Sequence, residues 1–63
     1  MEAGDFVIIK DGLLKGSAGV LVDVNEELNE YDVRLTIEKG AYKLGDVVTF
    51  NRHELAPSPS LSL

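Results

Sequence analysis

The chain has 63 residues and a mass of 6.8 kDa, and its six Lys and Arg against eleven Asp and Glu give a net charge of −5. This length allows one small domain, and the absence of cysteine with only one histidine excludes a disulfide framework and a Cys/His zinc site. The acidic balance disfavours non-specific binding to nucleic acid or to anionic membranes, because like charges repel.

The apolar residues occur in short runs, such as Phe6 to Ile9. Runs of this length predict neither a membrane-spanning segment nor the apolar region of a secretory signal. The hydrophobic content of 44% is that of a globular domain. The absence of cysteine is common in a reducing compartment, and we therefore expect a cytoplasmic protein. The short apolar runs and the acidic charge predict no membrane partner.

The first half of the chain shows an apolar pattern of period two. Asp5–Ile9 is rich in β-branched and aromatic residues and predicts a first strand. Lys10–Gly19 holds three glycines and predicts a structured loop. Val20–Val24 predicts a second strand with its three alternate valines on one face. The polar, acidic segment Asn25–Glu30 then predicts a connecting loop.

The second half begins with the clearest alternation in the chain. Tyr31–Ile37 places an apolar residue at every second position and predicts a third strand. Glu38–Asp46 contains two glycines and predicts a second long loop. Val47–Phe50 predicts a fourth strand.

A short turn is predicted after the fourth strand. Asn51 followed three residues later by Glu54 fits a capping box, in which each side chain bonds the other residue's backbone N–H. One turn of 3₁₀ helix fits before Pro57, which prevents a helix from continuing. Ala56 then contributes to a short closing strand, and the segment 58–63 is expected to be a disordered tail.

These elements predict an all-β fold. No connection is long and periodic enough for a parallel crossover, so the sheet should be antiparallel. We expect residues 1–57 to form a small five-stranded antiparallel barrel, because closure leaves little unpaired strand edge. The predicted core comprises Phe6 or Val7, Ile8 or Ile9, Val20, Val22, Val24, Tyr31, Val33, Leu35, Ile37, Val48, Phe50 and Leu55.

The segment from Gly4 to Val24 carries the one specific motif. Gly4-Asp5 opens a strand, Gly12 and Lys15-Gly16 fall in the loop, and Gly19 precedes the next strand. Glycines at such positions permit positive φ at turns, or a bend or bulge at the start of a strand. We interpret them as backbone devices rather than as a phosphate-binding loop, since no helix follows.

This spacing resembles the KOW motif. Phe50–Pro57 is similar to the closing turn of small stand-alone SH3-like proteins of bacteria and their phages. The resemblance implies an SH3-like barrel that contacts RNA or other proteins, as in ribosomal proteins and transcription elongation factors. The chain departs from RNA-binding members at Leu13 and Leu14, where those loops tend to be basic, and at Asp23.

We therefore predict a binding module that contacts a protein partner, and the resemblance suggests a phage or bacterial accessory protein acting on a host complex. The predicted contact surface consists of two loops that carry apolar residues and one lysine, namely Leu13, Leu14, Lys15, Tyr42 and Leu44. In the alternative interpretation, one of the leucines folds back to close the end of the barrel, and the tyrosine acts as a lid.

Two other functions remain open at this level. The first is a KOW-type module associated with RNA, the ribosome or transcription, with contacts from Lys10, Lys15, Lys39, Lys43 and Arg52 if these converge on one face. The second is an acidic inhibitor that mimics nucleic acid, with carboxylates at Asp23, Glu26, Glu27, Glu30 and Asp32.

Catalysis is not expected. The single His53 has no nucleophile with a suitable sequence relationship, and its neighbour Glu54 would not face it in a helical turn. The acids of the Asn25–Glu30 loop (Glu26, Glu27 and Glu30) lack the alternating spacing and central glycine of an EF-hand. Four aromatic residues are too few for both a core and a polyproline site. We predict no catalytic residue, no metal site and no cofactor.

Overall fold

A computed structural model of the chain describes residues 1–58. Five strands lie within it: β1 (Phe6–Ile9), β2 (Ala18–Asn25), β3 (Glu30–Leu35), β4 (Val47–Phe50) and β5 (Leu55–Pro57). The residues Arg52–Glu54 form one turn of 3₁₀ helix immediately before β5. The predicted all-β class, the five strands and the turn before the last strand are confirmed.

The strands form one antiparallel sheet in the order β4-β3-β2-β1-β5. Each strand from β1 to β4 pairs with its neighbour in sequence, and β5 returns to pair with the free side of β1. The Ser58 N–H donates to the Phe6 carbonyl oxygen at 3.1 Å, so backbone contact with β1 extends past Pro57. The tail predicted to be disordered comprises residues 58–63, of which 59–63 lie outside the described residues.

The core is one cluster on the inner face of this sheet. It contains Val7, Ile9, Leu14, Leu21, Tyr31, Val33, Leu35, Phe50 and Leu55, with Met1, Val24 and Val48 packed against it. Both edge strands contribute to the same cluster. Since residues 1–58 contain no α-helix to cover the inner face, the sheet itself must curve around these side chains.

Three residues of the predicted core lie outside it. Val22 and Ile37 are exposed, and Val20 is half-buried on the outer face. Ile37 lies beyond the end of β3, which stops at Leu35 instead of continuing as predicted. Leu21, which the alternation placed outside, is buried instead.

An irregularity in β2 explains the error there. The register between β2 and β3 shifts between Leu21 and Asp23, so that Val22 is an extra residue in β2. Before it, Gly19 and Leu21 face the core, and after it Val24 lies opposite the buried Tyr31. An extra residue reverses the face on which the alternate side chains of a strand lie. Val20, Val22 and Val24 therefore do not all lie on one face of the sheet.

Gly19 has a different role from the predicted bend or bulge. Its Cα lies so close to β3 that an added Cβ would overlap the carbonyl oxygen of Arg34 and a methyl group of Val33. The glycine therefore permits close contact between β2 and β3 inside the core.

Candidate interaction surface

The loop between β1 and β2 is held by its own backbone. The Gly16 N–H donates to the Ile9 carbonyl oxygen at 2.8 Å, and the Ser17 N–H donates to the carbonyl oxygen of Leu14 at 2.9 Å. Gly12 and Gly16 adopt φ of 90° and 95°, as predicted for tight reversals. This path turns Leu14 into the core, where its side chain is 4% exposed.

Leu13 has the opposite environment, with 93% of its side chain exposed. The interpretation in which one leucine folds back into the domain is therefore confirmed for Leu14. Leu14 is therefore removed from the predicted contact surface, because a buried side chain cannot contact a partner. Within this loop, an apolar contact can come only from Leu13, beside the exposed Lys15.

The loop between β3 and β4 consists of two successive turns. In the first, Lys39 and Tyr42 exchange both backbone hydrogen bonds across Gly40, at 3.2 and 3.0 Å. In the second, the Lys43 N–H donates to Asp46 Oδ2 at 3.0 Å, and the Asp46 N–H donates back to the Lys43 carbonyl oxygen at 3.1 Å. The backbone is therefore ordered by local bonds, although its large apolar side chains face outward.

These two loops contact each other. Ser17, which is buried, donates its hydroxyl to the Ile37 carbonyl oxygen at 3.2 Å. The Lys39 ammonium group donates to the carbonyl oxygen of Lys15. The Thr36 N–H also donates to the Ala18 carbonyl oxygen at 3.0 Å. The two loops are therefore in contact, through Lys15 and Ser17 of one and Ile37 and Lys39 of the other.

The joined loops present four exposed apolar side chains, from Leu13, Ile37, Tyr42 and Leu44. Neither Tyr42 nor Leu44 belongs to the buried core, so the tyrosine is not a buried lid on it. Ile37 was missed as a surface residue because alternation assigned it to the inner face of β3. The glycines of this loop do not indicate that Ile37 is exposed. The exposure of Ile37 follows from the end of β3 at Leu35.

Four of the five basic residues of the RNA-binding alternative fall into two pairs, and Lys43 lies apart from both. Lys10 and Arg52 line one open groove, of about 540 Å³, together with His53. Lys15 and Lys39 lie instead where the two long loops meet. Lys43 lies in the second turn of the β3–β4 loop.

The 3₁₀ turn beside this groove is anchored from three directions. The Asn51 N–H donates to Glu54 Oε1 at 2.9 Å, as the predicted capping box requires. The Arg52 N–H donates to the Asn29 side chain at 2.9 Å, and Asn29 adopts a φ of 54° in the β2–β3 turn. The Lys10 N–H donates to the Glu54 carbonyl oxygen at 2.8 Å. His53 is exposed on the rim of the groove.

The acids of the mimicry alternative all lie on the β2–β3 hairpin. Asp23 and Asp32 are directly opposite each other, and Glu30 pairs with Asn25 at the end of the hairpin. Asp32 accepts a hydrogen bond from the Thr49 hydroxyl at 2.6 Å, and Asp23 accepts one from the Val24 N–H at 3.0 Å. Within residues 1–58, no group of three or more His, Asp or Glu is arranged to hold a metal ion.

Comparison with known proteins adds no family to this description. No protein family matches the chain, and no curated protein matches it. The resemblance to the KOW and SH3-like proteins therefore stays a prediction. Among residues 1–58, the structure contains no helix with the length and apolar character needed to cross a membrane.

Proposed function

We propose that this protein is a non-enzymatic binding module of SH3-like type that contacts a protein partner through its two joined loops. The observation that carries the proposal is the contrast within the β1–β2 loop, where Leu14 is buried and Leu13 is 93% exposed. A backbone that is hydrogen-bonded on both sides holds this exposed leucine in place. A leucine on an ordered backbone loses less conformational freedom on binding than one on a mobile loop, which favours its use as an anchor.

The neighbouring loop extends the same surface. Leu44 is 59% exposed, and Tyr42 presents an amphipathic ring of the kind enriched at protein interfaces. Complete burial of one leucine contributes roughly 1.5–3 kcal/mol, so two or three such side chains supply a modest affinity. Lys15 lies two residues from Leu13 and Lys39 pairs with Tyr42, so these two lysines are placed to set the orientation of the partner. The KOW-like motif suits a bacterial or phage accessory protein that binds a host complex.

Affinity purification tests this function. The tagged full chain is used as bait in cells that normally contain it, and bound proteins are quantified by mass spectrometry. We expect one protein to be retained at a constant ratio to the bait. The double variant Leu13→Ser/Leu44→Ser should reduce its retention about tenfold, since the anchors are lost.

A matched control separates this surface from general stickiness. Leu28 is also an exposed leucine, at 64%, but it lies in the β2–β3 turn. Leu28→Ser should leave partner retention unchanged. Equal loss with the double variant and with Leu28→Ser, or no loss with either, would exclude the loop surface.

A KOW-type RNA module is the second candidate, and the placement of Lys15 beside Lys39 favours it. Lys10, at the start of the β1–β2 loop, and Arg52, in the 3₁₀ turn, add a second basic group in the groove that both residues line. A mobility-shift assay with single-stranded and double-stranded RNA over a salt series tests this function. Affinity that falls steeply with salt supports it, because phosphate contacts release counterions. Absence of a shift at low salt excludes it.

A further inference from the structure

The outer face of the sheet is apolar across β1 and β2. Phe6 lies opposite Val20, and Ile8 lies opposite Ala18. Phe6 is 47% exposed and Ile8 is exposed as well, although each alternates with a fully buried residue of β1. Water therefore meets a continuous apolar area on ordered strands, and such areas mark interaction sites on small proteins.

The bulge extends this area toward β3. The extra residue Val22 turns its side chain outward, where it is 39% exposed. The pairing of β2 with β1 ends at Val20, and beyond it the Gly4 N–H donates to the Leu21 carbonyl oxygen at 2.7 Å, so no residue of β1 lies opposite Val22. Bulges commonly re-aim a side chain at functional positions of a sheet.

Two carboxylates border the apolar area. Asp23 follows Val22 directly and lies opposite Asp32, and like charges in this position destabilise a strand pair. Their hydrogen bonds come from neutral donors, the Val24 N–H and the Thr49 hydroxyl. Arg34 lies two residues from Asp32 on the same face and opposite Val20, so this face carries one positive charge against the two negative charges of the aspartates. This border is complementary to a cation.

We propose that this outer face is a second contact surface, which binds a protein segment carrying an apolar side chain next to Lys or Arg. Phe6, Val20 and Val22 would receive the apolar side chain, and Asp23 and Asp32 would receive the cation. The inference rests on the proposed function in one respect, namely that the partner is a protein. It places the contact on the strands, away from the loop surface of Leu13 and Leu44.

Charge favours this occupant over others. A nucleic acid would bring phosphates to the aspartate pair, and the net charge of −5 adds to the repulsion. A second copy of the chain would bring a second aspartate pair to a two-fold contact. A basic protein segment removes the repulsion between Asp23 and Asp32 while it covers the apolar area, and electrostatic attraction speeds its association.

Selection from a phage-displayed library of short random peptides tests the inference without knowledge of the natural partner. The immobilised full chain is the target, and binding is selected at an ionic strength of roughly 0.01 M, where screening is weak. Enriched peptides should combine an aromatic or aliphatic residue with an adjacent Lys or Arg. Enrichment of acidic or proline-rich peptides, or no enrichment, would overturn the inference.

Variants locate the binding of the enriched peptides. Phe6→Ser and Val22→Ser should each weaken binding about tenfold, and Asp23→Asn/Asp32→Asn should weaken it mainly at low salt. Thermal unfolding of each variant shows whether its fold is kept, and Val22→Ser provides the test if the half-buried Phe6 cannot be replaced. The control Leu13→Ser should bind these peptides normally.

The outcomes distinguish the two surfaces. Binding that is lost with Leu13→Ser and kept with Val22→Ser would overturn the outer-face site while leaving the loop surface intact. Binding lost with Val22→Ser alone would support the outer face, even if affinity purification shows no dependence on Leu13. Concentration-dependent dimerisation in sedimentation experiments that is abolished by Val22→Ser would assign the face to a second copy and would also overturn the inference.

Discussion

The two faces of β1 and β2 differ in environment more than in composition. On the inner face Val7, Ile9 and Leu21 are excluded from water, while on the outer face Phe6 and Ile8 are exposed. All five residues are large and apolar, so their side chains give no indication of which face is covered. Burial depends on what the rest of the sheet does, and the inner face is covered because the sheet curves over it. The outer face of β1 and β2 has no such cover, and Phe6 and Ile8 stay exposed to water.

The strongest test of this comparison uses adjacent residues of β2. Leu21→Ala should lower the free energy of unfolding by about 2–5 kcal/mol, because it leaves a cavity in the core. Val22→Ala, one position further on, should change it by less than about 0.5 kcal/mol, because Val22 lies on the surface. Urea denaturation followed by circular dichroism measures both. Similar losses in the two variants would contradict the observed register.

The leucine pair of the β1–β2 loop extends the comparison beyond the sheet. Leu14→Ala should destabilise the protein by about 2–3 kcal/mol, since a loop residue completes the core. Leu13→Ala should have almost no effect on stability, because its side chain is in water in both the folded and the unfolded state. Chemical denaturation of the two variants, compared with the parent chain, provides the measurement. Equal midpoints for both variants would show that this loop does not contribute to the core.

Gly19 tests how closely β2 and β3 approach on the inner face. Gly19→Ala should cost about 1–3 kcal/mol, because the added methyl group meets the backbone of Arg34 and the side chain of Val33. Thermal unfolding measures the loss. Comparison with Gly19→Val sharpens the test, since a larger side chain should cost more. An unchanged midpoint in Gly19→Ala would mean that the two strands can separate at little cost.

The aspartate pair should give the smallest effect, and in the opposite direction. Asp23→Asn should stabilise the protein by a few tenths of a kcal/mol, because it removes repulsion from Asp32 across the strand pair. The gain should be larger at low than at high salt. Glu27→Gln, which removes one acid from the β2–β3 turn, is the control and should show a smaller gain. A loss of stability in Asp23→Asn would show that this carboxylate has a structural role.

Local sequence features predicted the turns correctly. Asn51 and Glu54 capped the 3₁₀ turn, and Gly12 and Gly16 took the positive φ values expected at tight reversals. The dominant interactions of these features lie within a few residues, so the sequence pattern contains most of the information. The strand pattern was also sufficient for the all-β class and for an antiparallel sheet.

The contact surfaces were less predictable. Leu13 and Leu14 are identical neighbours, and only the path of the loop buries one of them. The contact between the two long loops depends on hydrogen bonds from Ser17 and Lys39 to distant backbone groups. The faces of β2 were misassigned because alternation was counted through Val22 without the bulge, and alternation left the buried face of β1 open.

The number and kind of strands, the turn before β5 and the acidic charge could all be predicted from the amino-acid sequence, because they follow from short-range preferences and composition. Tertiary structure decided which apolar side chains are buried, since burial requires distant strands to cover a residue. The bulge at Val22 also depends on tertiary structure, because an extra residue in one strand is defined only by its pairing with another strand.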